Sequence, residues 1–418
     1  MELQQANVFG EERFPLDISI VMPCLNEIQA LPHCIGNARD ALERIEHVYG
    51  LAGEIVIADN GSTDGSQSLA MSLGARVVSV SRKGYGAAII GGFDQAYGKY
   101  LVMGDCDGSY DFIDAVAMIG RLLDGADLCI GSRFKGGVAP GAMPWKNRYI
   151  GNPALTGLLN LFFRTAIEDA HCGLRAITRD AYCAIGLQGQ GMEFASEMII
   201  KASLNDLRID QVAATLSPDL RDRAPHLRPW RDGWRHLRYL FMLSPTWAFG
   251  VPAASMMGGG VAILLIAALY TVGIASGVSP FGVSWSIVGA FLITTGHFSA
   301  LMALAAHFYG AAQGFRPLRS VFRRWEKILT LESALMVGGS MVAAAIVSFI
   351  AIVFWWGAHQ FSALPTMLPL LVSVITGVVG MQTALGGLLL AVIGGHNAQL
   401  APCANILPIH TPHLAKAA

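Results

Sequence analysis

Asp105-Cys106-Asp107 places two carboxylates one residue apart, directly after an apolar run from Tyr100 to Gly104 that reads as a buried strand. Acids so spaced at the carboxyl end of a strand can reach one hard divalent cation, Mg²⁺ or Mn²⁺, which prefers oxygen ligands and completes its shell with substrate phosphates. A nucleotide diphosphate is therefore the first substrate class they suggest. Asp-x-Asp also arises in ordinary loops and helix caps, so its surroundings decide its weight.

Two further strands end in polar groups. The run Ile18 to Met22 ends in Pro23-Cys24-Leu25-Asn26-Glu27, and Glu54 to Ala58 ends in Asp59-Asn60-Gly61-Ser62-Thr63-Asp64-Gly65. Helices are expected over Gln29 to Val48, Ser66 to Leu73 and Tyr85 to Tyr97, each opened by a polar or glycine-containing turn. Further strands are expected at Arg76 to Val80 and Asp127 to Gly131. Such alternation argues for a mostly parallel sheet covered on both faces, whose ligands bind at the carboxyl edge where strand order reverses. A doubly wound domain with ordinary loops would explain the helices equally well, but not acids at matching strand ends.

These segments, Pro23 to Glu27, Asp59 to Gly65, Asp105 to Asp107 and Gly131-Ser132-Arg133, resemble the motifs of family 2 glycosyltransferases with the GT-A fold. They are most similar to those of the dolichyl- or polyprenyl-phosphate sugar synthases, over about residues 17–230. The resemblance implies an α/β GT-A (nucleotide-diphospho-sugar transferase) domain in which Asp105, Asp107 and Asp169 are catalytic and Asp105 and Asp107 hold Mg²⁺ or Mn²⁺. Pro23, Asn26, Glu27, Asp59, Lys83 and Asp105 would line the nucleotide pocket. The stretch from Arg82 to Ala88 supplies small residues and backbone N–H groups at a helix start. Asn60 stands where the family has a second Asp, which leaves base preference open between UDP- and GDP-linked donors. Arg133, Arg148 in a loop from Phe134 to Asn152, and Arg221 are the expected contacts of an acceptor phosphate. Asp169 opens an element, Asp169 to Arg175, similar to the family's Asp-x-x-x-Gly-Phe-Arg. Because a phosphate monoester is already ionised near neutral pH, Asp169 is expected to orient first and act as a base second. Glu197, which also matches the family, would share a helix face with Glu193 and meet either the acceptor or Lys201.

The second half of the chain is of another kind. Of 418 residues 53% are hydrophobic and only 14% charged, and neither Pro245 to Phe315 nor Ser333 to Ala415 contains an Asp, Glu, Lys or Arg. Each block can hold two bilayer-crossing helices of roughly 20 residues. We expect about four spans, near Trp247 to Val272, Val283 to Phe308, Leu331 to Trp355 and Met367 to Ile393, with a re-entrant pair as the alternative. The connection Arg316 to Lys327 carries Arg316, Arg319, Arg323, Arg324 and Lys327 against Glu326. The positive-inside rule then puts this loop, both termini and the catalytic domain in the cytosol of a bacterial inner membrane or its equivalent. The expected organisation is a polar tail 1–16, the GT-A domain 17–229, an interfacial amphipathic helix 230–245, a four-span α-helical membrane domain 246–396 with a basic loop 310–330, and a tail 397–418.

In the expected interfacial helix Trp230, Trp234, Leu237 and Phe241 form one stripe and Arg231, Arg235 and Arg238 an adjacent one. A core helix with a solvated arginine face is the competing explanation. Arg221, Arg223 and Arg228 precede it, suited either to a lipid phosphate or to anionic headgroups in general. Met1 to Asp17 has no apolar core and reads as no secretory signal. The seven cysteines include no Cys-x-x-Cys pair, so reduced, inert thiols are expected, with Cys106 turned away from the cation. His171 is a candidate ligand but reads better as a structural histidine. His297, His307 and His396 carry the same discount, although polar groups inside spans are functional candidates.

The activity expected is that of a hexosyltransferase, moving a monosaccharide with inversion from a nucleotide-sugar to a polyprenyl (dolichyl or undecaprenyl) phosphate. A processive polysaccharide synthase is the alternative, but its Gln-x-x-Arg-Trp motif is missing: Arg324-Trp325 is preceded by Val321 where Gln is required. A non-enzymatic scaffold or lipid-transport role is the alternative for the membrane part. No nucleic-acid partner is expected, and small-residue patches such as Gly258-Gly259-Gly260 and Gly338-Gly339 would permit homo-oligomers.

Overall fold

The structure, a computed structural model, describes residues 15–221, 229–275, 280–312, 330–362 and 364–393. The tails, Arg223, Arg228, the basic connection with Arg316, Arg319, Arg323, Arg324 and Lys327, and His396 lie outside the described residues. The chain divides into two compact units at Ser244 and Pro245.

In the first unit seven strands form one sheet in the order β3-β2-β1-β4-β6-β5-β7. They are β1 (Leu16–Cys24), β2 (Gly53–Asp59), β3 (Arg76–Ser79), β4 (Gly98–Met103), β5 (Leu128–Ser132), β6 (Arg175–Thr178) and β7 (Ile209–Ala213). Pairing is parallel except that β6 runs antiparallel to both β4 and β5. The central strands are apolar without alternation because helices cover both faces: Ile18, Ile20, Met22 and Ile57 are fully buried, each contributing about 1.5–3 kcal/mol. Strand order reverses between β1 and β4, so the ends of β1, β2 and β4 open on one crevice.

Helices α1 (Leu31–Tyr49), α2 (Ser66–Ser72), α3 (Tyr85–Gln95) and α4 (Ala115–Leu123) fall where the sequence predicts helices or follow a strand as a crossover. Helix α1 buries Leu31, Cys34, Ile35, Ala38, Ala41 and Ile45 at helical spacing and stops at Gly50, whose left-handed φ of 69° lets its N–H return to Glu46 O. Gly92 of α3 lies so close to Val21 and Ala58 that a Cβ there would collide, which seats α3 flush on β1 and β2. After β5 come α5 (Arg133–Gly136), α6 (Asn152–Phe163), α7 (Arg179–Ile185), α8 (Phe194–Leu204) and α9 (Pro229–Leu243). Helix α9 belongs to this unit, where it buries His236 and Leu240 and packs on α6 and α8. Its Trp234, Arg231, Arg235 and Arg238 remain exposed.

The second unit holds α10 (Val251–Thr271), α11 (Val283–Ala312), α12 (Leu331–Ala358) and α13 (Leu368–Ile393). With the residues just before α10, these are four helices long and apolar enough to cross a membrane. Gly260 of α10 faces Gly289 of α11, and Gly338 of α12 faces Gly380 of α13, at contacts where a Cβ would meet the opposing carbonyl at 2.6–3.1 Å. The small residues therefore serve packing within the chain. Gly258, Gly259 and Gly339 face open space. His297 binds Gln382 through Nδ1 (2.9 Å) and Thr383 through Nε2 (3.3 Å), joining α11 to α13 by polar contacts midway along both helices.

Candidate active site

The β1 and β2 ends are stitched to each other. Asn26 adopts a left-handed φ of 59°, and its Oδ1 accepts from Thr63 N–H at 2.8 Å while Ser62 Oγ accepts its own N–H at 2.9 Å. Asp59 is fully buried, and its carboxylate accepts from Gly61 N–H, Ser62 N–H and Gln67 Nε2 at 3.0, 3.2 and 2.6 Å. Burial works against its ionisation, but these donors win and hold its pKa below the usual aspartate value. Asn60 Nδ2 donates to both Val80 O and Arg82 O, and its Oδ1 accepts from Gly84 N–H. An aspartate there could not make the two donations, which gives the departure from the family pattern a physical reason. Lys83 Nζ reaches back to Asn60 O.

The acid pair lies beyond β4. Tyr85, the first residue of α3, donates its phenol to Asp105 Oδ1 at 2.8 Å. Burial, then the neighbouring Asp107 charge, push the Asp105 carboxyl up to about 7. Arg221 and Arg133 both act on Asp105 in the opposite sense. Gly173 leaves room here: a Cβ would come within 2.8 Å of Asp105 Oδ2 and 2.9 Å of the Tyr110 ring. Tyr110 in turn accepts the Gly173 N–H on its hydroxyl at 2.8 Å. Asp107 Oδ1 accepts the Ser109 N–H, and its Oδ2 receives Arg221 Nη2 at 2.6 Å. The same arginine reaches Asp219 at 3.1 Å and Glu27 at 3.3 Å. Cys106 points inward to the buried thiols of Cys24 and Cys34, as strand alternation predicts.

A second ionic centre forms beyond β5. Arg133 donates from Nε and Nη2 to the two oxygens of Asp169 at 2.6 and 2.7 Å, and its backbone N–H adds a third contact at 3.2 Å. Asp169 is fully buried. Although burial opposes the charge on Arg133, Tyr110 and Asp169 raise its pKa further above the usual arginine value. Arg175, also fully buried, donates to the carbonyls of Cys172, Ala170 and Ala195, clamping the turn that carries Asp169. His171 sits in that turn with its ring edge-on to His236 of α9 at 4.8 Å, and burial, then the charges of His236 and Arg133, lower its pKa. Arg148 is half-buried and lies over the Tyr149 ring at 5.4 Å.

Residues 19–186 match Glycosyl transferase family 2, and residues 304–394 match the glycosyltransferase family 2 C-terminal transmembrane region. A low-salt glycan biosynthesis hexosyltransferase, Agl6 of Haloferax volcanii, is 34% identical over 90% of this chain and 89% of its own length. The chain belongs to glycosyltransferase family 2. Its first unit is a GT-A domain, and the match to the transmembrane region together with the four apolar helices makes it an integral membrane protein. The polyprenol monophosphomannose synthase of Mycolicibacterium smegmatis is 29% identical over 47% of this chain and 76% of its own. The dolichyl-phosphate hexose transferase of Haloferax volcanii is 29% identical over 47% and 81%. Among solved structures, glucosyl-3-phosphoglycerate synthase of Mycobacterium tuberculosis in complex with Mn²⁺, uridine diphosphate and glucosyl-3-phosphoglycerate aligns at 23% identity over 55% of this chain and 78% of its own, with a TM-score of 0.40.

Within this family 2 chain the residues singled out from sequence fall into groups. Glu27, Asp105, Asp107 and Arg221 form one connected ionic cluster, and Arg133 with Asp169 forms another. Pro23 lies within β1, while Asn26, Asp59 and Lys83 spend their polar atoms on the loops around the crevice. Arg148 joins neither cluster among the contacts of the described residues. Glu197 is resolved in favour of Lys201, at 2.8 Å, and it also accepts the Gln188 and Gly189 N–H groups, while Glu193 accepts from Gly191. Sequence reasoning missed Tyr85, Tyr110 and Asp219. Tyr85 was within reach, since it opens the helix after the glycine turn; the other two declare themselves only through partners distant in sequence.

Proposed function

We propose that this chain is an inverting hexosyltransferase that moves one sugar from a UDP- or GDP-linked donor to a polyprenyl phosphate at the cytosolic face of a membrane. The observation that carries the reading is the acid pair at the β1/β4 switch point, with Tyr85 on Asp105 Oδ1 and Arg221 on Asp107 Oδ2. The names of two relatives, a polyprenol monophosphomannose synthase and a dolichyl-phosphate hexose transferase, support the acceptor class. The basic connection 310–330 supports the cytosolic orientation.

The donor set at the acid pair fits a hard divalent cation. Among the described residues no group of three or more acid, histidine or cysteine ligands is assembled, so Asp105 and Asp107 would leave most of the shell to diphosphate oxygens, as Mg²⁺ and Mn²⁺ accept. Burial first, and then the charge of Asp107, raise the Asp105 pKa, and a cation held between the two acids would offset both. When bound by Asp105 and Asp107 it would neutralise charge on the departing nucleoside diphosphate.

The chain's own groups do the rest. Tyr85 fixes Asp105 Oδ1, and Arg221 adds positive charge beside Asp107 that a diphosphate or an acceptor phosphate can share. Pro23, Asn26, Glu27, Asp59 and Lys83 shape the nucleotide end of the crevice. Asp169 orients Arg133 through Nε and Nη2, which leaves Nη1 as the edge for the acceptor phosphate, and Arg148 meets that phosphate from the loop before α6. A phosphate oxygen of the acceptor attacks the anomeric carbon as the bond to the diphosphate breaks, and the electron pair leaves with the diphosphate. The nucleophile is already anionic, so Asp169 need not take a proton.

The test incubates membranes containing the protein with labelled nucleotide sugars, a polyprenyl phosphate and Mg²⁺ or Mn²⁺, and counts label extracted into organic solvent. Transfer from one donor, reduced by about 10²–10³-fold or more in Asp107→Ala, is the expected result. Absence of lipid-linked label from every donor, with the protein folded, would sink the proposal.

A further inference from the structure

Three of the buried thiols gather at the acid pair. Cys24 is the last residue of β1, Cys34 lies on the buried face of α1, and Cys106 stands between Asp105 and Asp107. They are 2, 1 and 3% exposed, and Cys106 turns its thiol toward both of the others. Strand register explains its approach to Cys24. Strands β1 and β4 pair in parallel from Leu16 with Gly98 to Val21 with Met103 at a constant offset, and the Gly104 N–H continues the ladder to Val21 O at 3.4 Å. The same offset sets Cys106 opposite Cys24. Residues opposite one another on parallel strands project to the same face, and the strands lie about 4.8 Å apart. A disulfide needs Cα atoms about 4.4–6.8 Å apart, so this register suits one. Cys34, carried by a helix, has no such register. Cys24 Sγ also lies 3.8 Å from Ser62 Oγ, in the loop whose N–H groups hold Asp59.

We infer that Cys24 and Cys106 are a reversible oxidation site: a peroxide converts the pair to a disulfide, which displaces the acid-bearing turn and halts transfer. The chemistry balances with the peroxide as sole oxidant. One thiol reduces a molecule of hydrogen peroxide, becoming a sulfenic acid and releasing one water. The second sulfur then attacks the first, the S–O bond breaks, and the second thiol's proton leaves with the hydroxide as another water. The new S–S bond is about 2.05 Å long, far shorter than a contact between two thiols, so the two segments must close on one another. Cys24 is held in place by its pairing with Asp59 of β2, whereas Cys106 lies beyond the last paired residue of β4, so the turn is the part that moves. That turn aims Asp105 Oδ1 at Tyr85 and Asp107 Oδ2 at Arg221. A misplacement of about 1 Å at a reacting site can cost about 10²-fold in rate. The effect on transfer rests on the function proposed above; the disulfide and the movement of the turn do not.

The test treats the full-length protein in lipid vesicles with hydrogen peroxide, denatures it, alkylates the remaining thiols and digests it with trypsin and Glu-C, which separates Cys24 from Cys34 at Glu27. Mass spectrometry is expected to find a peptide containing Cys24 bonded to one containing Cys106, and to lose it after dithiothreitol. Hydrogen–deuterium exchange across residues 104–110 should differ between the linked and reduced forms. Sugar transfer should fall by about tenfold or more on oxidation and return with dithiothreitol. Cys24→Ser should keep the parent's basal rate and resist the same dose of peroxide. Alkylation of both Cys24 and Cys106 in a sample whose exposed Cys183 is oxidised overturns the inference. So does a bond from Cys106 to Cys34, a linked form with unchanged exchange, or an oxidative loss of transfer that persists in Cys24→Ser. Absence of transfer before any peroxide would count against the proposed function alone, because linkage and exchange are read without donor, acceptor or metal.

Discussion

Two arginines beside the same crevice are held in opposite ways. Arg133 gives two nitrogens to one carboxylate, and neither partner is open to solvent: the side chains of Arg133 and Asp169 are 9 and 0% exposed. Arg221 spreads over Asp107, Asp219 and Glu27, with side-chain exposures of 15, 12, 28 and 7%. A bidentate, desolvated pair is specific in geometry and costly to break. An arginine shared among three acids, of which only Asp219 is more than about a quarter exposed, would keep partners if one were exchanged for a phosphate. The first pair is thus framework, and the second is a charge cluster whose membership a substrate would change in the proposed reaction.

This contrast is most strongly tested at Asp169. Asp169→Ala leaves Arg133 buried without its carboxylate, and a loss of about 3–5 kcal/mol in unfolding free energy is expected from chemical denaturation; a loss below about 1 kcal/mol would place Arg133 among the exchangeable charges. Next in size is Tyr85→Phe. Removing a phenol donor from Asp105 is expected to slow sugar transfer by about tenfold or more, the loss expected for a hydrogen bond to a charged group, with the thermal midpoint little changed.

A third arginine pair, outside the crevice, calibrates the scale. Arg76 meets Glu54 bidentately at 2.8 and 2.9 Å, half-open to solvent. Burial raises the Glu54 pKa, but Arg76, the Tyr97 N–H and Ser19 outweigh it and hold the carboxyl below its usual 4.5. A depressed carboxylate pKa contributes stability that is fully present above the unfolded value and is lost as pH falls through the folded one. Glu54→Gln should therefore be less stable than the parent at pH 7, and the gap in thermal midpoint should close as the pH is taken below about 4.5. A gap that persists in acid would assign the effect to packing. Smallest is Asp219→Ala, expected to cost less than about 1 kcal/mol because Arg221 retains Asp107 and Glu27; a larger loss would move Arg221 into the framework class.

Legibility from sequence followed the same division. Apolar runs ending in acids gave β1, β2 and β4 to within two residues, because a strand buried on both faces must be apolar throughout and its polar end must lie at the sheet edge. Strand β6 escaped notice: it is four residues long and begins with Arg175, a buried charge whose hydrogen bonds go to the carbonyls of Cys172, Ala170 and Ala195, so its local pattern argues against a strand. The acid pair was visible as a motif, but its link to Arg221 closes over 114 residues. Glu197 was legible as a helical i,i+4 partner of Lys201, whereas its grip on the Gln188 and Gly189 N–H groups was not.

By itself, then, the sequence determined an α/β domain with acids at its switch point and apolar helices long enough to span a bilayer, because burial dictates hydrophobic period and length residue by residue. Only the tertiary structure decided which carboxylate each arginine serves, that Tyr85 caps Asp105, and that the β1–β4 register sets Cys106 opposite Cys24. Those outcomes depend on distances between residues far apart in the chain, and on local desolvation, which sets whether a charge pair is locked or exchangeable.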